Sequence, residues 1–128
     1  MDIDTGDNFS AAVDHNGRLF TWGYGNDGQL GHGNRNDLAS PMLLKFDEKI
    51  KQISCGDSHA GFITNNNELY IYGSGKYGEH GRADSTESQA GYRTSPVLVD
   101  FFTKNGYAVN RICCGGSHNI ASVYNRSK

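Results

Sequence analysis

Apolar residues along this chain fall in short runs. Phe9-Ser10-Ala11-Ala12-Val13, His59-Ala60-Gly61-Phe62-Ile63 and His118-Asn119-Ile120-Ala121-Ser122-Val123 are each too short for a stable helix and long enough for a strand. A turn follows each of the first two. Asp14-His15-Asn16-Gly17 contains Asn-Gly, the strongest short hairpin signal. Its counterpart, Thr64-Asn65-Asn66-Asn67, uses Asn, which tolerates positive φ. The strands predicted next, 18–22 and 68–72, alternate polar and apolar at first and run into glycine-rich segments. Each segment leads to a Ser-Pro, Ser40-Pro41 and Ser95-Pro96, and then to the apolar runs 42–44 and 97–99. Proline lacks an N–H, so these runs are predicted at sheet edges.

The pattern is an internal repeat. Leu19 to Leu69, Gly23 to Gly73, Gly28 to Gly78 and Gly31 to Gly81 are each 50 residues apart, as are Gly6 and Gly56. Gly56 to Gly115 is 59 residues, which places nine extra residues in the second unit. Five fall within 82–94, since Gly31 to Pro41 spans 10 residues and Gly81 to Pro96 spans 15; the other four fall near 101–107. Polar connections are where insertions cost least. The organisation is one domain over 1–128, with repeat one at 3–52, repeat two at 53–111 and the start of a third at 112–128. A unit of three or four short antiparallel strands buries its faces only against neighbours. The predicted fold is therefore all-β, an incomplete β-propeller.

Composition agrees. Among 128 residues 36% are hydrophobic, and the 17 glycines suit tight turns between short strands. The mean hydropathy of -0.62 implies a thin or distributed core. A net charge of -2 argues against a phosphate-binding surface, so no direct nucleic-acid partner is expected. No apolar run reaches the roughly 18 residues of a membrane span. The acidic start, Met1-Asp2-Ile3-Asp4, does not read as a signal peptide, and three cysteines suit a reducing compartment. The expected location is cytoplasmic or nuclear, not secreted.

The series Ile-x-x-Gly-x-x-His, Asn-Gly-x-Leu-Phe-x-Trp-Gly-x-Gly-x-x-Gly-Gln-Leu-Gly-x-Gly and Ser-Pro resembles the regulator of chromosome condensation repeat. The resemblance covers two repeats and the opening of a third. Phe9 stands in place of His, Tyr72 in place of Trp, and Glu79-His80 in place of Gln-Leu. The resemblance implies a seven-bladed propeller. For some members it implies guanine-nucleotide exchange on a small GTPase, or a targeting role within a larger enzyme such as a ubiquitin ligase. Two units and a fraction leave a propeller open on both sides. The expected setting is thus a longer propeller, a complex whose partners supply blades, or a self-associated form, with Phe9 and Ile120 as candidates for cover.

Candidate chemistry reduces to structure. Gly23-x-Gly-x-x-Gly28 and Gly73-x-Gly-x-x-Gly78 match a dinucleotide fingerprint, but Gln29-Leu30-Gly31-His32-Gly33 is a poor helix, and the motif recurs as a turn does. Cys55, His59, Cys114 and His118 form Cys-x-x-x-His twice, but adjacent sheets hold equivalent positions about 10 Å apart, too far for one zinc. The reading adopted is buried thiols, with each His bonded to backbone in its own unit. Glu79-His80 lacks a nucleophile and an orienting group. No catalytic, cofactor or metal residues are therefore assigned. Trp22, Tyr72, His59, His118, Gly23, Gly28, Gly31, Gly73, Gly78 and Gly81 are read as structural, with Trp22 and Tyr72 in packed core. Arg82, Asp84, Glu87, Tyr92 and Arg93 form a candidate partner-binding loop. The functional expectation is a non-enzymatic protein-interaction scaffold.

Overall fold

The computed structural model describes residues 2–74, 92–115 and 119–125, with the backbone alone of Tyr92 and Ile120. The first sheet is antiparallel in the order β1 (Asp2–Thr5), β2 (Phe9–Val13), β3 (Leu19–Gly23), β4 (Leu38–Leu43). The second repeats it with β5 (Ile50–Cys55), β6 (His59–Thr64), β7 (Leu69–Ser74), β8 (Tyr92–Leu98). A helix α1 (Asp100–Lys104) leads to a two-stranded sheet of β9 (Tyr107–Cys114) and β10 (Asn119–Asn125). This is the expected incomplete all-β propeller. Among the described residues no helix is long and apolar enough to cross a membrane.

The turns form as their side chains dictate. The Asp14 carboxylate accepts the backbone N–H groups of Asn16 and Arg18, at 3.0 and 2.9 Å, and the Arg18 Nε–H at 2.7 Å. These bonds, the Arg18 N–H first, hold its pKa below the usual carboxylate value. In the second hairpin Thr64 Oγ1 takes the Asp14 role, accepting from Asn66 N at 3.2 Å. Gly17 has φ +77° and Asn67 has φ +62°, so Asn does in one repeat what Gly does in the other. Pro41 and Pro96 lie inside β4 and β8, the outer edge strands, each beside an irregularity in pairing with β3 or β7.

Helix α1 was not foreseen. It is wound from the extra residues near 101–107, with Asp100 in its first turn, Lys104 in its last and an exposed pair between them at 3.1 Å. Gly106, at φ +77°, follows it.

Side-chain alternation gives each sheet two faces. Between the first and second sheets lie Ala11, Val13 and Leu19 from one side and Ile53, Phe62 and Tyr72 from the other. Between the second sheet and the third unit lie Ile63, Leu69, Ile71, Val99, Val109 and Ile112. The thin, distributed core is thus two inter-sheet layers.

Candidate interaction surface

Two devices set the stacking of the sheets. The first is a polar ladder between first strands. Asp2 Oδ2 accepts from Ile53 N at 3.2 Å and Asp4 Oδ2 from Cys55 N at 2.8 Å. One unit on, Gln52 Oε1 accepts from Ile112 N at 3.2 Å, Gln52 Nε2 donates to Ile112 O at 2.8 Å, and Ser54 Oγ accepts from Cys114 N at 2.9 Å. Sequence reasoning missed this. The available signal was a polar residue on each side of the repeating isoleucine, Asp2-Ile3-Asp4 and Gln52-Ile53-Ser54. In the third unit those positions hold Arg111 and Cys113, both exposed.

The second device is the glycine-rich segment after β3. Gly31, at φ +79°, lies so close to Tyr72 that a Cβ there sits 3.1 Å from the ring. Gly33 N donates to Thr94 O at 2.8 Å, and Gly28 abuts the Arg93 carbonyl. Gln29 and Leu30 are buried, and Thr21 Oγ1 donates to Leu30 O at 2.7 Å while its lone pair meets His32 Nε2 at 2.7 Å. Burial lowers the His32 pKa. Gly23, Gly28, Gly31 and Gly73 all have positive φ, and no helix follows Gly28. The segment is a packing loop between sheets.

The outward face of the first sheet is where this stacking stops. Ile3 is 63% exposed, whereas its repeat partners Ile53 and Ile112 are each 3% exposed. Leu43 is also exposed on that side, beside half-buried Phe20. Here one expectation needs correcting. Tyr72 is fully buried, but Trp22 is only half-buried. Tyr72 has Gly31 of the preceding sheet against its ring, and among the described residues Trp22 has no sheet before it. Phe9 is likewise not in need of cover: it is 3% exposed, turned toward the second sheet against Gly6. The Ile120 side chain lies outside the described residues.

The remaining candidates separate. His59 is fully buried, and its Nε2 meets Asn119 Oδ1 of the third unit at 2.8 Å, so it links units instead of bonding backbone in its own. Cys55 and Cys114 are buried; desolvation first, with nearby charge, pushes the Cys114 thiol up to about 12 and the Cys55 thiol higher still. They pack as protonated apolar groups. His118 lies outside the described residues, and no three His, Cys, Asp or Glu side chains converge among those described. Gly78, Glu79, His80, Gly81, Arg82, Asp84 and Glu87 also lie outside them. Tyr92 begins β8. Arg93, expected in a displayed loop, is buried in β8, because the 28–33 segment packs across that strand.

Glycine-rich four-stranded sheets, stacked through their first strands and an inter-sheet loop, define the class of protein: repeat-built β-propellers. The chain belongs to the regulator of chromosome condensation (RCC1) repeat family. One profile of this repeat matches residues 16–63 and 66–122, and another matches 2–29 and 50–79. The chain is 33% identical over 123 residues to the human E3 ubiquitin-protein ligase HERC2, covering 93% of this chain and 2% of that protein. It is 31% identical over 105 residues to the ultraviolet-B receptor UVR8 of Arabidopsis thaliana, covering 80% of this chain and 22% of the receptor. In structure it is similar to Prp20p from Saccharomyces cerevisiae, a protein studied for its binding to Gsp1p and histones. The TM-score is 0.86 at 17% identity, covering 98% of this chain and 31% of Prp20p. At that identity the likeness concerns the fold. The chain spans about a fifth or less of the curated relatives named here.

Proposed function

We propose that the chain is a non-enzymatic interaction scaffold, a propeller segment whose outward sheet face is covered by a further blade in a longer protein or a complex. One observation carries this reading: Ile3 is 63% exposed where Ile53 and Ile112, its equivalents, are 3% exposed. An apolar face that is covered in the next unit and bare in this one marks an interaction site. Ile3 and Thr5 stand where Ile53 and Cys55 receive the carboxylates of Asp2 and Asp4, so the covering blade should present acceptors there. Relation to a ubiquitin ligase supports a second reading, a targeting segment within a larger enzyme. Exchange on a small GTPase, which the family resemblance implies for some members, needs a face built from more blades than these. A cytoplasmic or nuclear setting suits the three free thiols.

The test is a chain extended by its own repeat, with a copy of residues 51–110 joined in register to Asp2. Repeat arrays gain stability from each added interface. The extension should raise the melting midpoint by about 5 °C or more, and Ile3→Asp should cancel the gain. No rise, or a rise indifferent to Ile3→Asp, would show that this face is not a blade interface.

A further inference from the structure

We propose that the cleft at the rim between the first and second sheets binds an extended segment of a partner protein, one that carries an acidic side chain two residues from an apolar one. Both walls belong to complete four-stranded sheets, with β4 on one side and β8 on the other. The cleft holds about 440 Å³, within the range of ligand sites. Met42, Leu44 and Pro96 supply its apolar lining. Met42 and Leu44 flank Leu43 and so lie on the other face of the first sheet, the one turned to the second sheet. Leu44 is buried in that inter-sheet layer, yet Met42 is 47% exposed. Its exposure is a gap between two sheets that are both present, unlike that of Ile3.

The polar groups of the cleft are free to bind. Among the described residues Lys45 Nζ and Ser95 Oγ have no hydrogen-bond or ion-pair partner. Asn34 Oδ1 accepts from Asn36 N at 3.0 Å, which leaves the Asn34 Nδ2 group as a donor. Thr21 Oγ1 gives its one proton to Leu30 O, so His32 donates Nε2–H to the Thr21 oxygen and keeps Nδ1 as an acceptor. Burial lowers the His32 pKa, which keeps the ring neutral near pH 7. Among the described residues no Asp or Glu lines the cleft, so its charge is the Lys45 ammonium. Pro41 to Pro96 is 55 residues, an offset that puts Asp100 where Lys45 stands. Asp100 is engaged by Lys104 at 3.1 Å. The free cation is thus a property of this junction and not of the repeat.

The backbone sets the shape of the occupant. Among the described residues β4 pairs only with β3. Leu44 N donates to Leu19 O at 2.8 Å. Successive amides of a strand alternate in direction, so the Leu43 N–H and C=O face away from β3, toward the open edge. Such an edge accepts an extended segment through main-chain bonds, and its alternate side chains enter the adjoining pocket. An apolar side chain then meets Met42 and Pro96, and an acidic one two residues along meets Lys45. Charge complementarity selects the acid.

The probes are labelled heptapeptides of the form Ser-Thr-Leu-Thr-Glu-Thr-Ser, with Leu varied to Val, Ile, Met and Phe, and the same set with Lys in place of Glu. Each is titrated with the whole 128-residue chain and followed by fluorescence anisotropy. Saturable one-to-one binding is expected for at least one Glu peptide, with its Lys counterpart at least tenfold weaker. Lys45→Glu, a change at an exposed position, should reverse that preference. Should that variant fail to fold, Lys45→Gln is expected to abolish the preference. Hydrogen exchange should show new protection of the Leu43 amide in the complex. Ile3→Asp should leave binding unchanged, since Ile3 lies on the opposite face of the sheet, so this test can fail while the blade-addition test succeeds. No saturable binding by any Glu peptide, a preference indifferent to the Lys45 variants, or protection elsewhere overturns the proposal. So does displacement of the peptide by inorganic phosphate beyond that caused by chloride at equal ionic strength, which would mark a simple anion site.

Discussion

Tyr72 and Trp22 occupy the same place in consecutive repeats, yet one is fully buried and the other half-buried. Tyr72→Ala should cost about 3–5 kcal/mol, the usual penalty for removing a core aromatic, and Trp22→Ala clearly less in the same denaturant melts. An equal loss would mean that Trp22 is already covered. Among the described residues the Tyr72 hydroxyl finds no hydrogen-bond partner, so Tyr72→Phe should be neutral or stabilising. Gly31→Ala combines φ +79° with a Cβ 3.1 Å from the Tyr72 ring and should cost more than about 1 kcal/mol. The thiols give a pH prediction. Burial raises Cys55, Cys114 and Tyr72, so the fold favours their neutral forms. Their stabilisation is whole below the ordinary thiol value near 9 and is lost as pH rises from there toward about 12. Denaturant midpoints should fall over that range, and with native protein a thiol reagent should titrate exposed Cys113 first. What the sequence displayed at this scale was backbone chemistry: Asn67 with positive φ, and the Asn16-Gly17 turn. It did not display Trp22 exposure or the bond from His59 to Asn119, because both depend on which sheet lies alongside.

At the scale of elements, the strand run was legible because each strand follows a turn with a local cause, the Asp14 carboxylate in one hairpin and the Thr64 hydroxyl in the other. The edge placement of Pro41 and Pro96 was legible for the same reason, since a missing N–H has a fixed consequence. Helix α1 was not. Its residues read as an insertion, and a single helical turn of Asp-Phe-Phe-Thr-Lys carries no periodicity to detect. The polar ladder was also hidden, since each acceptor finds its donor 51 to 60 residues away. It yields a direct test. Asp4→Ala leaves the Cys55 N–H without its acceptor and should cost about 1–3 kcal/mol, while Asp4→Asn keeps an oxygen in place and should cost less. Equal losses would show that the Asp4 charge, and not the bond to Cys55, matters.

At the scale of the molecule, stability resides in two inter-sheet layers, and each sheet depends on its neighbour. The fold class and the family were legible because a 50-residue offset recurs at many positions; the family match and the likeness to known propellers bear them out. The proposed interaction surface was legible only as an expectation of open ends. Identifying it took the contrast between exposed Ile3 and buried Ile53, which no local pattern contains. Sedimentation velocity of the 128-residue chain at micromolar concentration, run beside a thermal melt, tests the central claim most directly. The bare face of the first sheet should drive self-association or leave a marginal, weakly cooperative species, and Ile3→Asp should reduce the association. A monodisperse 14.0 kDa monomer that melts cooperatively well above room temperature would contradict the account.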